Sequence, residues 1–507
     1  MKILSAEQIR QADRATIERE PTSSVDLMER ASAQFVDAFV RLFPFSDRPV
    51  YVFCGPGNNG GDGLAVARLL TERTYSVQAF IVLTSDNVSD DLTTNRDRWQ
   101  ASHPLPTIDQ PEAIPEIPSQ ALIIDALFGS GLSRPAEGLF ARVIEALNRA
   151  DATMIAIDVP SGLFTDQPTP SDAAVMRADY TFTFQLPKLA FLLPRHQASV
   201  GQWQILDIGL DANFLDQATT SYHYTDAEAL HGVRRRRTPQ SHKGDYGKAL
   251  LVAGSYGKMG AAVLCARACK HGGVGLLTLH VPECGYGILQ TAVPEAMVVV
   301  DDHAHAVSQL APEALTPYDT LGVGPGLGTA EVTVAALRQL LPIAQERDLA
   351  LVMDADALNI CGQHCELLDQ LPSRTILTPH PKEFERLTEP ARDDFHRLQL
   401  LRDFCRTYRV HVVLKGGHTA VGAPDGTVYF NSTGNPGMAT GGSGDVLTGL
   451  LTALLAQRYA PLNAARLGVY LHGLAGDLAA QAMSPEALTA SDLITHLGRA
   501  FQRLDVE

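Results

Sequence analysis

The chain is expected to fold as an α/β protein of two domains, each built on a mostly parallel sheet. Three observations predict this. Short apolar runs alternate with segments whose apolar residues recur at helical spacing, the pattern of successive βαβ units. Several of the runs end in a glycine-rich loop or an aspartate, as in RPVYVFC-GPGNNGGDG and MIAID-VPSG. The length of 507 residues, with 45% hydrophobic and 19% charged side chains, exceeds what one core organises.

The first element is a helix that Ser5 opens, with Gln8 three residues on as the second half of a capping box. After a second helical stretch, residues 48–54 form a short buried strand. It runs into Gly55–Gly63 and then into LAVARLL, a helix. Strand, glycine loop and helix together present backbone amides to an anion. The spacing is not the dinucleotide G-x-G-x-x-G, and Asn58, Asn59 and Asp62 add side chains that a bare phosphate cradle does not need. Two further strands, residues 121–125 and 154–158, end in Asp125 and Asp158. In an open parallel sheet such ends share one edge, and ligands bind in the crevice beyond it. Asn59, Asp125 and Asp158 are therefore expected around one pocket, whose oxygen-only groups suit a hard cation.

GPGNNGGDG, DALFGSGL and DVPSG, in that order, resemble the N-terminal domain of the NAD(P)H-hydrate epimerases over most of residues 1–222. The resemblance implies a Rossmann-like three-layer sandwich. It implies substrate contacts from Asn58, Asn59, Gly60, Gly61 and Asp62, from Gly129, Ser130, Gly131, Leu132, Ser133, Arg134 and Pro135, and from Asp158. It also implies a potassium ion (K+) near Asn59, Asp125 and Ser161, and Asp158 as the residue that handles the proton when the R and S forms interconvert at C6 of the hydrated nicotinamide.

Residues 223–240 are expected to link the domains. Their run Arg234–Arg237 is the strongest basic cluster, and a solvated link explains it better than nucleic acid does, because the net charge is −16. Lys243 in SHKGDYG either reaches a phosphate or solvates its loop.

The second domain, 223–507, alternates again: KALLVAG, a helix from AAVLCARACK, then GLLTLHVP. Gly260 leaves room for a ligand, whereas Gly272, Gly273 and Gly275 are expected to serve packing. TLGVGPGLG, LALVMDADALN and TILTPHPKEFERL each put polar residues at a strand end: Gly326, then Asp354 and Asp356, then His380 held between two prolines. VVLKGGHTAV ends a strand with Lys415, Gly416, Gly417, His418 and Thr419. The stretch 431–449 contains six glycines, five of them ahead of an apolar helix run, so its amides converge on an anion. Asp445, an acid beside that anion site, has a reason to be there if it takes a proton, which makes it the expected base of a phosphoryl transfer.

This half resembles the ribokinase-like superfamily. It matches the nucleotide-dependent NAD(P)H-hydrate dehydratases more closely, through SHKGDYGKALLVAG, GVGPGLG, LTPHPKEFERL, LKGGHT and GNPGMATGGSGDVLTG in order. The TPHPKE histidine stands where vitamin kinases of that superfamily generally carry TPN. The resemblance implies hydrate contacts from Ala261 (with Gly260 and Ala262), Gly326, His380 and Asp445. It implies nucleotide contacts from Lys415, Gly416, Gly417, His418 and Thr419, and from Asn435 through Gly442, Ser443 and Gly444. Hydroxide leaves C6 poorly, but a phosphoryl group moved onto that hydroxyl leaves well. Asp445 would take the hydroxyl proton, the amides of Gly442–Gly444 would steady the moving charge, and Mg2+ would bridge the nucleotide phosphates. Fused members of bacterial type use ADP, although the residues themselves fit ADP and ATP alike.

Together the halves imply a bifunctional NAD(P)H-hydrate repair enzyme acting on NADHX and NADPHX. The alternative is a ribokinase-type small-molecule kinase fused to a non-catalytic binding domain. A general nucleic-acid or anionic-membrane binder is excluded by the acidic surface. No apolar run reaches membrane-spanning length, and the polar start is unlike a signal peptide. The seven cysteines form no C-x-x-C pair, so idle thiols in a reducing cytoplasm are expected, in a homo-oligomer.

Overall fold

The computed structural model describes residues 1–20, 22–44, 47–310 and 315–505. They divide into two compact units, Lys2–Thr220 and Ser221–Glu507, with Met1 grouped with the second.

In the first unit seven strands form one sheet: β1 (Val50–Cys54), β2 (Val77–Val82), β3 (Thr107–Ile108), β4 (Leu122–Ala126), β5 (Thr153–Ile157), β6 (Tyr180–Phe184) and β7 (Gln202–Leu206). Their order is β3-β2-β1-β4-β5-β6-β7, and every neighbouring pair is parallel. Both faces are covered, as an all-parallel sheet requires. Val50, Val52 and Cys54 pack with Phe35 and Phe39 of helix Ser24–Leu42, while Tyr51 and Phe53 belong to the opposite core with Val143 and Ile144 of helix Gly138–Leu147. The chain adds strands outward from β1 and then restarts at β4, so a crevice opens beyond the ends of that pair.

The second unit has ten strands: β8 (Tyr222–Thr225), β9 (Lys248–Val252), β10 (Leu276–Val281), β11 (Met297–Val300), β12 (Thr320–Val323), β13 (Ala350–Met353), β14 (Thr375–Leu377), β15 (His411–Leu414), β16 (Ala420–Gly422) and β17 (Val428–Asn431). The order is β11-β10-β9-β12-β13-β14-β15-β16-β17-β8. All pairs are parallel except β15–β16 and β16–β17, so the single strand expected in VVLKGGHTAV is a hairpin. Here the order restarts between β9 and β12.

Three expectations need correction. The GPGNNGGDG segment is not a loop throughout, because helix Asn58–Glu72 already begins at Asn58. Gly60 lies in its first turn, where a Cβ would collide with the Gly55 carbonyl. The expected link at 223–240 opens with β8, which pairs with β17 and stacks His223 on Tyr429 at 5.0 Å, so Tyr222 goes with the second unit. The arginine run is not merely solvated. Arg235 lies over Tyr459 at 5.3 Å, Arg237 over Tyr246 at 3.9 Å, and Arg234 pairs with Asp505 while resting on Phe501. Guanidinium planes gain from aromatic faces that an ammonium-rich linker would not seek.

Candidate active sites

Beyond β1 and β4 of the first unit lies a cleft of about 570 Å³. Asn58, Asn59, Asp62, Gly129, Ser130, Gly131, Leu132 and Asp158 line it, so most of the predicted substrate residues meet there. Gly60 and Gly61 pack behind them against Gly55 and Met28. Ser133 and Arg134 are exposed, and with Pro135 they stand outside the lining. Asp158 follows β5 in a left-handed conformation (φ 62°), a strained setting for a non-glycine residue that aims its carboxylate back at the cleft. Its Oδ1 accepts from the Phe184 amide and the Thr183 hydroxyl, each at 3.1 Å, and pairs with Lys188 Nζ at 2.9 Å.

Lys188 carries no predicted role, yet it is 2% exposed and also donates to Thr183 Oγ1 and to the carbonyls of Phe184 and Leu186. Its signal in the sequence was a lone cation inside the apolar run QLPKLAFLL. Asp125 and Ser161 lie fully buried. The Ser161 amide donates to Asp125 Oδ2 at 2.7 Å and its hydroxyl to Oδ1 at 2.6 Å. Burial pushes the Asp125 carboxyl up to about 6 against those bonds. Among the described residues, Asn59 Nδ2 is buried without a partner.

In the second unit the strand ends converge as well. Gly326 (φ 61°) sits against Ala261, where an added Cβ would lie 3.1 Å from the Ala261 Cβ and 2.6 Å from the Lys258 carbonyl. Beside Gly260 the space is open. Asp356 fixes this loop by accepting from the Gly328 amide at 2.8 Å and from Lys258 at 3.2 Å. Past β13, Asp354 is 2% exposed and takes Lys415 Nζ at 2.9 Å on Oδ1 and the Thr448 hydroxyl at 2.7 Å on Oδ2. Lys415 also stands 4.0 Å from buried Glu383. A Cβ on Gly444 would lie 3.5 Å from both Lys415 Nζ and Asp354 Oδ2, so the ammonium adjoins the amide-rich helix start.

That helix, Ser443–Ala456, begins after Gly442 (φ 91°), three residues earlier than its apolar run. Its first-turn amides lack intrahelical partners. Asp445 occupies the first turn, where burial and the Asp354 charge raise its carboxyl to about 6 while Lys415 pulls it down. His380 caps helix Pro381–Leu387: its Nδ1 accepts from the amides of Lys382 and Glu383, and Glu383 Oε2 accepts from the His380 amide at 2.8 Å. Thr419 Oγ1 donates to the Gly416 carbonyl at 3.1 Å and closes the loop that includes Gly417, and His418 contacts the Asn431 carbonyl. Asn435 donates to Asp477, which also holds the Gly434 amide. Buried His472, lowered to about 4 by burial, meets the Ser443 carbonyl at 3.0 Å. Thr448, His472 and Asp477 were missed because they lie inside helices whose residues follow packing periodicity, with no local motif. The seven cysteines are free, five of them buried.

The comparisons agree with both halves. The family described as NAD(P)H-hydrate dehydratase matches residues 249–499, and YjeF-related protein N-terminus matches residues 24–190. The bifunctional NAD(P)H-hydrate repair enzyme Nnr of Moorella thermoacetica is 36% identical, covering 100% of this chain and 98% of its own. Its namesake from Escherichia coli is 32% identical, covering 97% and 93%. A ribokinase-like superfamily protein of Enterococcus faecalis has a solved structure 27% identical to this chain, with a TM-score of 0.50, covering 57% of this chain and 98% of its own. With relatives matched end to end and both halves represented, the chain belongs to the bifunctional NAD(P)H-hydrate repair enzymes, with an epimerase half and a dehydratase half.

Proposed function

We propose that the second unit dehydrates the S epimer of NADHX or NADPHX at the expense of ADP, with Asp445 as base, and that the first unit supplies that epimer through Asp158. The observation that carries the reading is Asp445 at about 6 in the first turn of a helix with free amides, beside the Lys415–Asp354 pair. At neutral pH that carboxyl is mostly ionised and still close enough to its pKa to accept a proton well. The C6 hydroxyl oxygen attacks the terminal phosphorus of ADP as its proton passes to Asp445, and AMP departs. The amides of Gly442–Gly444 and the Lys415 ammonium steady the moving charge. The ring nitrogen's electron pair then expels phosphate from C6, and loss of a C5 proton restores the dihydropyridine. Lys415, Gly416, Gly417, His418, Thr419 and Asn435 would hold the nucleotide, and Ala261, Gly326 and His380 the hydrate.

Among the described residues no group of three or more His, Cys, Asp or Glu side chains could hold a metal ion. Mg2+ brought with the nucleotide would supply charge neutralisation there. K+ fits the first unit on its donor set. Asn59, Asp125 and Ser161 offer oxygen alone, and turning over the unpartnered Asn59 amide puts its oxygen where the orphan nitrogen lies. K+ there would supply fixed positive charge against Asp125. A homo-oligomer completes the reading, supported by apolar side chains left exposed on edge strand β11, where Met297 is 53% exposed.

The test supplies mixed-epimer NADHX with ADP or ATP and follows NADH absorbance and phosphate. Recovery of both epimers as NADH, with AMP formed from ADP, is expected. A stable phosphorylated product would favour the small-molecule kinase, and recovery limited to the S fraction would remove the epimerase.

A further inference from the structure

The epimerase cleft is lined partly by a helix that carries none of the glycine motifs. Helix Ala6–Arg19 turns Ile9, Asp13 and Ile17 onto it at successive turns, with Arg10 and Arg14 alongside. Among the described residues, no hydrogen bond or ion pair reaches the Asp13 carboxyl. Burial and the charge of Asp158 push it up to about 6, while Lys188 pulls the other way. Asp62, on helix Asn58–Glu72, is held well above its ordinary value by burial and by Asp158, Asp13 and Asp91. With Asp91 the cleft lining gathers four carboxyls, and Lys188, a buried cation beside them, is already paired with Asp158. Desolvated polar groups left unpaired are costly, and they persist where a ligand completes them.

We propose that Asp13 is the second proton carrier of the epimerase, working with Asp158 on the two faces of C6 of the hydrated nicotinamide ring. The proposal rests on the assignment of this cleft to epimerisation. One carboxyl protonates the C6 hydroxyl. The C6–O bond breaks with its electron pair leaving on oxygen as water, and the ring nitrogen's lone pair forms a cationic N1=C6 bond. Water then adds to the other face of C6, the π pair returns to nitrogen, and the other carboxylate takes the proton that the water loses. One proton is given and one is recovered, so no further reactant is consumed, and the reverse conversion exchanges the two roles. The carboxylate field favours this path because its intermediate is a cation. Ring opening by C6–N1 cleavage would pass through a neutral aldehyde and gain nothing from that field.

The test uses the full chain, its Asp13→Asn and Asp13→Glu variants, and separated NADHX epimers in ¹⁸O-labelled water. Wild type is expected to interconvert the epimers and place one solvent oxygen on C6 per conversion. Asp13→Asn is expected to lower kcat in both directions by about 10²–10⁴-fold with KM little changed, and Asp13→Glu to recover part of the loss. Retained kcat, or a loss confined to KM, overturns the role. So does a loss that glutamate does not relieve and that comes with a lowered Tm, because that pattern is structural. Absence of solvent oxygen from the wild-type product overturns the path. A wild-type chain that interconverts nothing refutes the epimerase assignment itself, which is a separate failure.

Discussion

Replacing Asp354 with asparagine is expected to move the acid limb of the dehydration rate to lower pH. Asp445 stands at about 6, with burial as the largest cause and the Asp354 charge as the next. A base of that pKa is about nine-tenths ionised at pH 7 and about one-tenth ionised at pH 5, so the wild-type rate should fall roughly tenfold between them. Asparagine removes the Asp354 charge but keeps an oxygen for the Thr448 hydroxyl, now 2.7 Å away. It also releases Lys415, 2.9 Å from Asp354, from its nearest carboxylate, so more of its charge acts on Asp445. Both changes favour the ionised base. A limb lowered by about one pH unit leaves about half of Asp445 ionised at pH 5, roughly a fivefold gain there relative to the variant's own plateau. The assay is NADH formation from purified S epimer with saturating ADP, from pH 5 to pH 8, each profile scaled to its plateau. A limb that stays or rises refutes the electrostatic account. Persistence of the limb in Asp445→Asn refutes Asp445 as the titrating group.

Two further outcomes follow from buried charges elsewhere. Lys188→Met leaves Asp158 without its cation, and breaking a buried pair of this kind costs about 3–5 kcal/mol. Denaturant unfolding of the first unit should show a loss of that order together with loss of epimerisation, and an unchanged midpoint would contradict it. His411, at the far end of β15 from Lys415, is lowered by burial to about 4. Its folded pKa lies below the unfolded value of about 6.5, so the unfolded chain gains the proton first, and the contribution of His411 is full above pH 6.5 and lost as pH falls toward 4. Asp445, raised instead, produces the opposite slope below about pH 6. His411→Asn should therefore flatten the acid loss of stability in the second unit, and an unaltered slope relative to wild type would refute the assignment.

The α/β class and the family were legible because glycine loops at strand ends are local in sequence. A strand, a turn and a helix start within a dozen residues carry their own geometry, so Asn59, Asp125, Asp158, Gly326, Lys415 and Asp445 could be located before any fold was known. The groups that set their electrostatics were not legible. Lys188 reaches Asp158 across β6, and Asp13 arrives on a helix far upstream in the chain. Asp354 was visible as a strand end, but its tie to Lys415 spans 61 residues and exists only because β13, β14 and β15 are neighbours. The helix start at Ser443 was read late because Gly442–Gly444 look like loop residues by propensity. There the left-handed Gly442 and the packing of the apolar face override that preference.

His380 shows how one position can serve architecture and chemistry through different atoms. Its Nδ1 is committed to two helix amides, which leaves the proton of the neutral ring on Nε2, with Glu383 Oε1 3.5 Å away. Nε2 is then a fixed donor beside the Glu383 carboxylate. Asparagine caps helices as well as any residue, and it is the residue that vitamin kinases of this superfamily generally show in the same turn. An exchange of histidine for asparagine would keep the turn intact while withdrawing the longer-reaching N–H. At this position the helix cap and the group that extends beyond it can therefore change separately.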